Sequence, residues 1–243
     1  MIDFKLFTSS IADLNRRDLE EITHLLQDYY EEPTELLLSE LKKNNRIYYY
    51  RKIGGKIEAF FMTGWSEMSS EKEERVIIYL GLSCVNNQYK ENKLGSKLYY
   101  TFTKEALQLQ SNYSNPILLF GTTATPVILL TLPKIWDKVE PNLDGSYSKH
   151  GEKIIRQIQK ELDLEKFSTY HPYVLKKIAV KTRYADFERR RFKDICKKFD
   201  LRTFEILDID ETQGDRMMIL CNLPSEIKFQ ELERKLFPQI QDA

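Results

Sequence analysis

The chain is short of the residues that mark several large protein classes. Its 243 residues include only three cysteines and three histidines. Cys84, Cys196 and Cys221 are odd in number, widely spaced and free of any CxxC pair. That excludes a disulfide framework and suits a reducing cytosol. His24, His150 and His171 follow no metal-ligand spacing, so no metal site is expected. No apolar run reaches the roughly 18–20 residues that span a bilayer. The opening Met1-Ile2-Asp3-Phe4-Lys5 lacks the apolar core of a signal peptide. Lys plus Arg is 37 and Asp plus Glu is 37, so neither sign of charge dominates. A global polyanion binder is normally basic, which argues against bulk nucleic-acid affinity. There is no Gly-x-Ser-x-Gly elbow, phosphate-loop Gly-Lys-Ser/Thr or Rossmann glycine triplet. These absences predict a cytoplasmic protein without a membrane partner. Its length is enough for one large domain or two small ones.

The most informative stretch that is present runs from Val76 to Leu109. The apolar run Val76–Val85 reads as a buried strand, and Asn86–Lys93 as a polar connector. Leu94-Gly95-Ser96-Lys97-Leu98 then opens an amphipathic helix, with Leu94, Leu98, Phe102 and Ala106 four apart. A strand feeding a basic loop into a glycine-containing helix start exposes several N–H groups at the positive helix end. Such a place holds an anion such as a pyrophosphate.

The rest of the chain alternates strands and helices. Ile2, Phe4 and Leu6 predict a first strand. Asn15 with Asp18 predicts a capped helix carrying Leu19, Ile22, Leu25, Leu26 and Tyr29 on one side. Pro33 starts a second helix. The segments 47–53 and 56–62 flank Gly54-Gly55, whose positive φ angles predict a tight hairpin. Ser66–Arg75 reads as a charged loop. Pro116–Gly121 is a further buried strand, and Thr125-Pro126 begins a short helix. Asn142–Ser148 reads as a linker, and 147–199 as a mostly helical, highly charged insert. Arg202–Leu207 and Met217–Cys221 predict a C-terminal hairpin. The order implies an α/β sheet with helices packed on its faces, and 1–243 reads as one domain.

This order, with the Val85–Leu98 connector, resembles the GCN5-related N-acetyltransferase (GNAT) superfamily. That family carries an Arg/Gln-x-x-Gly-x-Gly/Ala loop whose amides bind the pyrophosphate of acetyl-CoA. The matching residues are Lys90-Glu91-Asn92-Lys93-Leu94-Gly95. Lys90 stands for Arg or Gln, Lys93 replaces the first glycine, and Gly95 keeps the last. Lys93 either blocks close backbone approach, if the position needs positive φ, or adds charge toward the phosphate. The resemblance implies a mixed, mostly antiparallel GNAT-like sheet and transfer of an acetyl group to a small-molecule or peptide amine by direct attack. It implies cofactor binding by Lys90, Asn92, Lys93, Leu94, Gly95 and Ser96. Main chain at Cys84 or Val85 would polarise the thioester carbonyl. Many members place a tyrosine, the acid for the departing thiolate, where this chain has Leu132. The alternative is a GNAT-like binding module without turnover.

A general base or water relay must deprotonate the amine. Glu67 and Tyr79 are the residues weighed for it, against a loop charge and a core aromatic. Cys84 reads better as a buried structural thiol than as a nucleophile. Arg183, Arg189, Arg190, Arg191, Lys193, Lys197 and Lys198, with Tyr184, Phe187 and Phe192 between them, form a basic stripe. It reads as a solvated helix face more readily than as a grip for RNA or an acidic protein. Tyr147, Tyr170, Tyr173 and Trp136 are candidates to line a pocket under the insert.

Overall fold

A computed structural model describes residues 3–70, 73–162, 168, 170–179 and 183–238. Strand β1 (Phe4–Ser10) leads into helix α1 (Arg16–Gln27). Asn15 accepts from the Asp18 N–H while the Asp18 carboxylate accepts from the Asn15 N–H, closing a capping box. Helix α2 (Pro33–Leu41) starts on Pro33, whose missing N–H costs nothing at a first turn. Strands β2 (Arg46–Lys52) and β3 (Ile57–Ser70) form the expected hairpin. Of its two turn glycines only Gly54 takes positive φ, at 70°.

Strand β4 (Glu73–Val85) pairs antiparallel with β3. Ser66–Ser70 pairs with Glu73–Ile77, so the expected loop is the outer end of a long hairpin. Main-chain pairing needs no apolar side chains, which is why composition misread it. Helix α3 (Leu94–Gln110) and strand β5 (Leu118–Thr123) follow. Thr125 caps a short 3-10 turn at Pro126–Leu130, and strand β6 is Asp137–Glu140. The 147–199 segment holds helix α4 (Lys149–Glu161), the two-residue strand β7 (Val174–Leu175) and helix α5 (Asp186–Lys198).

The expected C-terminal hairpin is corrected. Thr203–Ile206 is a helical turn, α6. Thr203 and Leu207, four apart, are the buried positions there, so the helical period outweighs the apparent alternation. The other arm is strand β8 (Arg216–Asn222), followed by helix α7 (Glu226–Leu236). β8 pairs with β5, β6 and β7.

The sheet order is β1-β2-β3-β4-β5-β8-β6, with β7 on β8. Among the described residues only β4 and β5 run parallel; the other pairs are antiparallel. The fold is therefore the mixed, mostly antiparallel α/β sheet with flanking helices expected from the sequence. One face packs on α3 and α7 through Ile78, Leu80, Phe102 and Trp136. The other packs on α1 and α2 through Ile22, Leu26, Phe60 and Met62, and on α4 through Ile155 and Ile158. Among the described residues no helix is long and apolar enough to cross a membrane.

Candidate functional site

Strand β4 carries the feature that builds the site. Phe61 faces Ser83 and Thr63 faces Leu80, so two steps on β3 oppose three on β4. The extra residue is a β-bulge at Gly81-Leu82, and it inverts the side-chain alternation. Ile78 and Leu80 face α3, whereas Leu82 and Cys84 beyond the bulge face α1 and α2.

β4 and β5 pair only from Ile77–Leu80 to Leu118–Gly121. A Cβ on Gly121 would lie 2.9 Å from the Leu80 carbonyl oxygen, so the last paired position tolerates no side chain. Past it, β4 continues to Val85 without β5 beside it, and a cavity of about 610 Å³ opens at the fork. Ser83, Tyr99, Leu132 and Trp136 line it from the α3 side. Glu40, Tyr79, Thr122, Tyr184 and Arg216 line it from the side of α1 and α2. The cavity thus threads the sheet through the gap between two parallel strands, with Gly81, Leu82 and Ser83 in its wall.

Each end has its own chemistry. On the α3 side the Ser83 and Tyr99 hydroxyls lie 3.0 Å apart. Burial raises the Tyr99 pKa and the Ser83 hydrogen bond draws it partly back, so the phenol stays protonated at neutral pH. On the other side Glu40 is buried. Lys43 Nζ donates to its Oε1 at 2.8 Å, and Tyr79 Oη to its Oε2 at 3.3 Å. Asn44 Nδ2 donates to the same Oε2 at 3.2 Å. Burial, and then the neighbouring Glu40 charge, raise the Tyr79 pKa, which keeps that phenol a donor.

The eight residues expected to hold the cofactor do not line this cavity. They gather instead where β4 meets α3. Gly95 packs against the end of β4, where an added Cβ would lie 3.2 Å from Val85 Cγ2. Leu94 is buried, while Asn92 and Lys93 are exposed, as is Lys90. The first-turn amides of α3, those of Leu94, Gly95 and Ser96 included, have no partner within the helix. Lys90 Nζ lies 5.6 Å from the Tyr29 ring centroid. Its pKa is lowered by burial and then by Arg191, a like charge, against a smaller opposing pull from Glu188. Lys93 and Lys97 reach Lys235 O and the Phe237 ring beside the same helix end. Positive charge is therefore concentrated here, as an anion site needs.

Lys93 sits at φ 55°, ψ 27°, so this position does require the left-handed conformation. A lysine holds it at a cost of about 1 kcal/mol. Lys93→Gly is expected to raise stability by about 0.5–1 kcal/mol, read as a higher urea midpoint at unchanged slope.

The remaining candidates divide cleanly. Cys84 is buried beside Leu25 O, and burial raises its pKa, which leaves an inert thiol. Val85 O accepts from Tyr29 Oη at 2.9 Å. Glu67 lies outside the cavity and accepts from Tyr113 Oη at 3.0 Å, whereas Tyr79 lines it. Of the four aromatics expected under the insert, only Trp136 is in the wall. Tyr173 donates to Glu140 Oε2 at 2.7 Å, and Tyr170 is exposed. His24, His150 and His171 do not line the cavity.

Three cations of the basic stripe are paired. Arg183 and Arg189 bind Glu31 at 3.3 and 2.7 Å, and Arg191 binds the buried Glu188 at 2.5 Å. Its Tyr184 and Phe192 turn inward to the cavity. Sequence reasoning missed Glu40, Ser83, Tyr99 and Arg216. The one local signal was Gly81, which interrupts an otherwise apolar strand.

No known family model matches the chain, and no curated protein matches it either. Solved structures with a similar fold include a GNAT family N-acetyltransferase (YhbS) from Escherichia coli in complex with CoA. It is 13% identical over 50% of this chain and 63% of its own, at a TM-score of 0.37. An acetyltransferase from Trypanosoma brucei is 12% identical over 64% of this chain and 91% of its own, at 0.36. A mutant AtaT toxin bound to the C-terminus of the antitoxin AtaR and acetyl-CoA is 12% identical, over 56% and 85%, at 0.39. This chain spans 33% of a conserved protein of unknown function from Enterococcus faecalis, 9% identical over 55% of this chain, at 0.39. At identities and TM-scores this low, none of them carries an argument about this chain.

Proposed function

We propose that the chain is an acyl-CoA-dependent N-acyltransferase that transfers acetyl from acetyl-CoA to an amine by direct attack. One observation carries this reading: a single cavity passes through the sheet at the β4–β5 fork, with a basic helix start beside its α3 end. Two reactants can then meet from opposite faces without sharing an entrance. The first-turn amides of α3 hold the diphosphate, with Asn92–Ser96 forming the cradle and Lys90, Lys93 and Lys97 adding charge. The co-substrate supplies an acyl group already activated as a thioester.

The chain's own groups do the rest. The amides of Gly81–Ser83, residues of the cavity wall, meet the charge that develops on the acyl oxygen. On this reading the polarising main chain lies one to three residues before Cys84. Glu40 accepts the proton of the attacking amine from the far side. Tyr99, protonated and bound to Ser83, donates to the departing sulfur. It takes the role that Leu132, itself buried, cannot perform.

Acetyl-CoA is expected to raise the melting temperature of the purified chain. At about 100 times its dissociation constant the gain is about 2.7 kcal/mol, or roughly 5–10 °C for a chain of this size. No shift at millimolar acetyl-CoA would remove the proposal. Leu132 also motivates a second reading, a GNAT-like binding module. That reading wins if CoA binds but no amine releases free thiol from acetyl-CoA.

A further inference from the structure

At the acceptor end of the cavity, Lys177–Ala179 and Tyr184 form part of the wall. The Glu31 N–H donates to Arg183 O at 3.0 Å, and the Ala185 N–H donates to Tyr29 O at 2.8 Å. These two bonds bridge Tyr30 to Tyr184, whose rings stack at 4.8 Å between centroids. Phe192 of α5 packs on Tyr184 at 4.9 Å. The α1–α2 corner and the insert are thus stitched together beside the cavity. Lys177, Ile178 and Ala179 cover part of the same end. Such a partial cover favours a small amine over a lysine on a folded protein surface.

The charges inside narrow the class further. Glu40 and Arg216 are both nearly inaccessible, at 6% and 7% exposure, and both face the cavity. Tyr79 lies between them: its phenol touches Glu40 and feels the charge of Arg216. Tyr30 and Tyr184 lie in the field of the same guanidinium. Arg216 Nη1 donates to Asp215 O at 2.7 Å. The Asp215 carboxylate is held elsewhere, by Lys176 Nζ and by the N–H groups of Lys177 and Asp210, each at 3.0 Å. Lys43, Lys177 and Arg216 line the cavity against two carboxylates, Glu35 and Glu40. With the Glu211 carboxylate also in the field of Arg216 and Lys43 paired to Glu40, the site carries both signs of charge and accommodates a zwitterion.

We infer that the acceptor is a small amino carboxylate, its amine at Glu40 and its carboxylate at the Arg216, Tyr30 and Tyr184 end. This rests on the N-acyltransferase reading and specifies its substrate class. The aromatic walls at Tyr30, Tyr184 and Phe192 leave room for an apolar side chain between the two ends.

The test presents the full-length chain and acetyl-CoA with amino acids paired with their decarboxylated amines: phenylalanine with phenethylamine, tyrosine with tyramine, lysine with cadaverine. A lysine-containing peptide is the fourth arm. Thiol release is expected for the amino acids, with kcat/KM about 10- to 100-fold lower for the amines lacking the carboxylate. Arg216→Gln is expected to raise KM for the amino acid and to erase that preference. Tyr184→Phe, which keeps the ring stack, is expected to weaken it in the same direction if the Arg216 variant fails to fold. Binding of phenylalanine against phenethylamine by calorimetry reads the same preference without turnover. Equal or better use of the decarboxylated amines, or acylation of the peptide alone, overturns the inference. Loss of the acetyl-CoA melting shift would instead overturn the transferase reading, so the two failures are separable.

Discussion

Glu40→Gln is expected to lower kcat by about 10²- to 10⁴-fold, the contribution of a positioned general base. Glutamine keeps the shape of the side chain and an oxygen to accept from Tyr79 and Asn44. It loses the capacity to take a proton. The variant should therefore fold and keep its acetyl-CoA melting shift, because the helix start proposed to hold the diphosphate lies on the opposite face of the sheet. Stopped-flow thiol release after mixing with amine separates chemistry from product release. A kcat within twofold of the parent chain would rule Glu40 out as the base. Tyr99→Phe probes the other end: it should slow turnover with an ordinary thioester and less so with a thioester whose thiol is more acidic, since a better leaving group needs less protonation.

Arg51→Met is expected to be the most damaging single change outside the site, at about 3–5 kcal/mol. Arg51 Nη2 meets Asp18 Oδ1 at 2.5 Å and Nη1 meets Glu21 Oε2 at 2.6 Å. Both carboxylates are largely buried, with side-chain exposures of 11% and 8% against 20% for the arginine. Asp18 also closes the α1 capping box, and Glu21 Oε2 accepts the Ile57 N–H at 3.1 Å. One guanidinium thus ties α1 to the β2–β3 hairpin, and methionine would leave the buried Asp18 carboxylate without a cation and Glu21 with Arg17 alone, at 2.9 Å. The urea midpoint should fall sharply, and the melting temperature by about 10 °C. Adding Asp18→Asn and Glu21→Gln should recover part of the loss, because the residues are in contact and their effects do not add. A shift under 2 °C would show that the pairs contribute nothing measurable, as many exposed pairs do.

The elements legible in the chain were those whose signals are local. The Asn15–Asp18 cap, Pro33 at a helix start, Gly54 in a turn and Thr125-Pro126 before a 3-10 turn each depend on residues a few positions apart. The buried runs at Val76–Val85 and Pro116–Gly121 were readable as strands for the same reason. The misread segments failed where main-chain pairing or packing overrode composition. Ser66–Arg75 is polar yet laddered, and Arg202–Leu207 alternates yet coils so that Thr203 and Leu207 can both be buried.

The sequence alone therefore determined the locally signalled elements, their alternating α/β order and the basic helix start at Lys90–Ser96. Tertiary structure decided everything about the cavity. The bulge at Gly81-Leu82 exists only because β3 pairs beside it, and the fork exists only because β5 stops following β4. Glu40, Tyr99 and Arg216 come from α2, α3 and β8, and meet through contacts between residues far apart in the chain. Helix caps and turns are set by short-range geometry, which a string of residues displays. A cavity is set by where chain segments part, and that depends on how all the surrounding side chains pack at once.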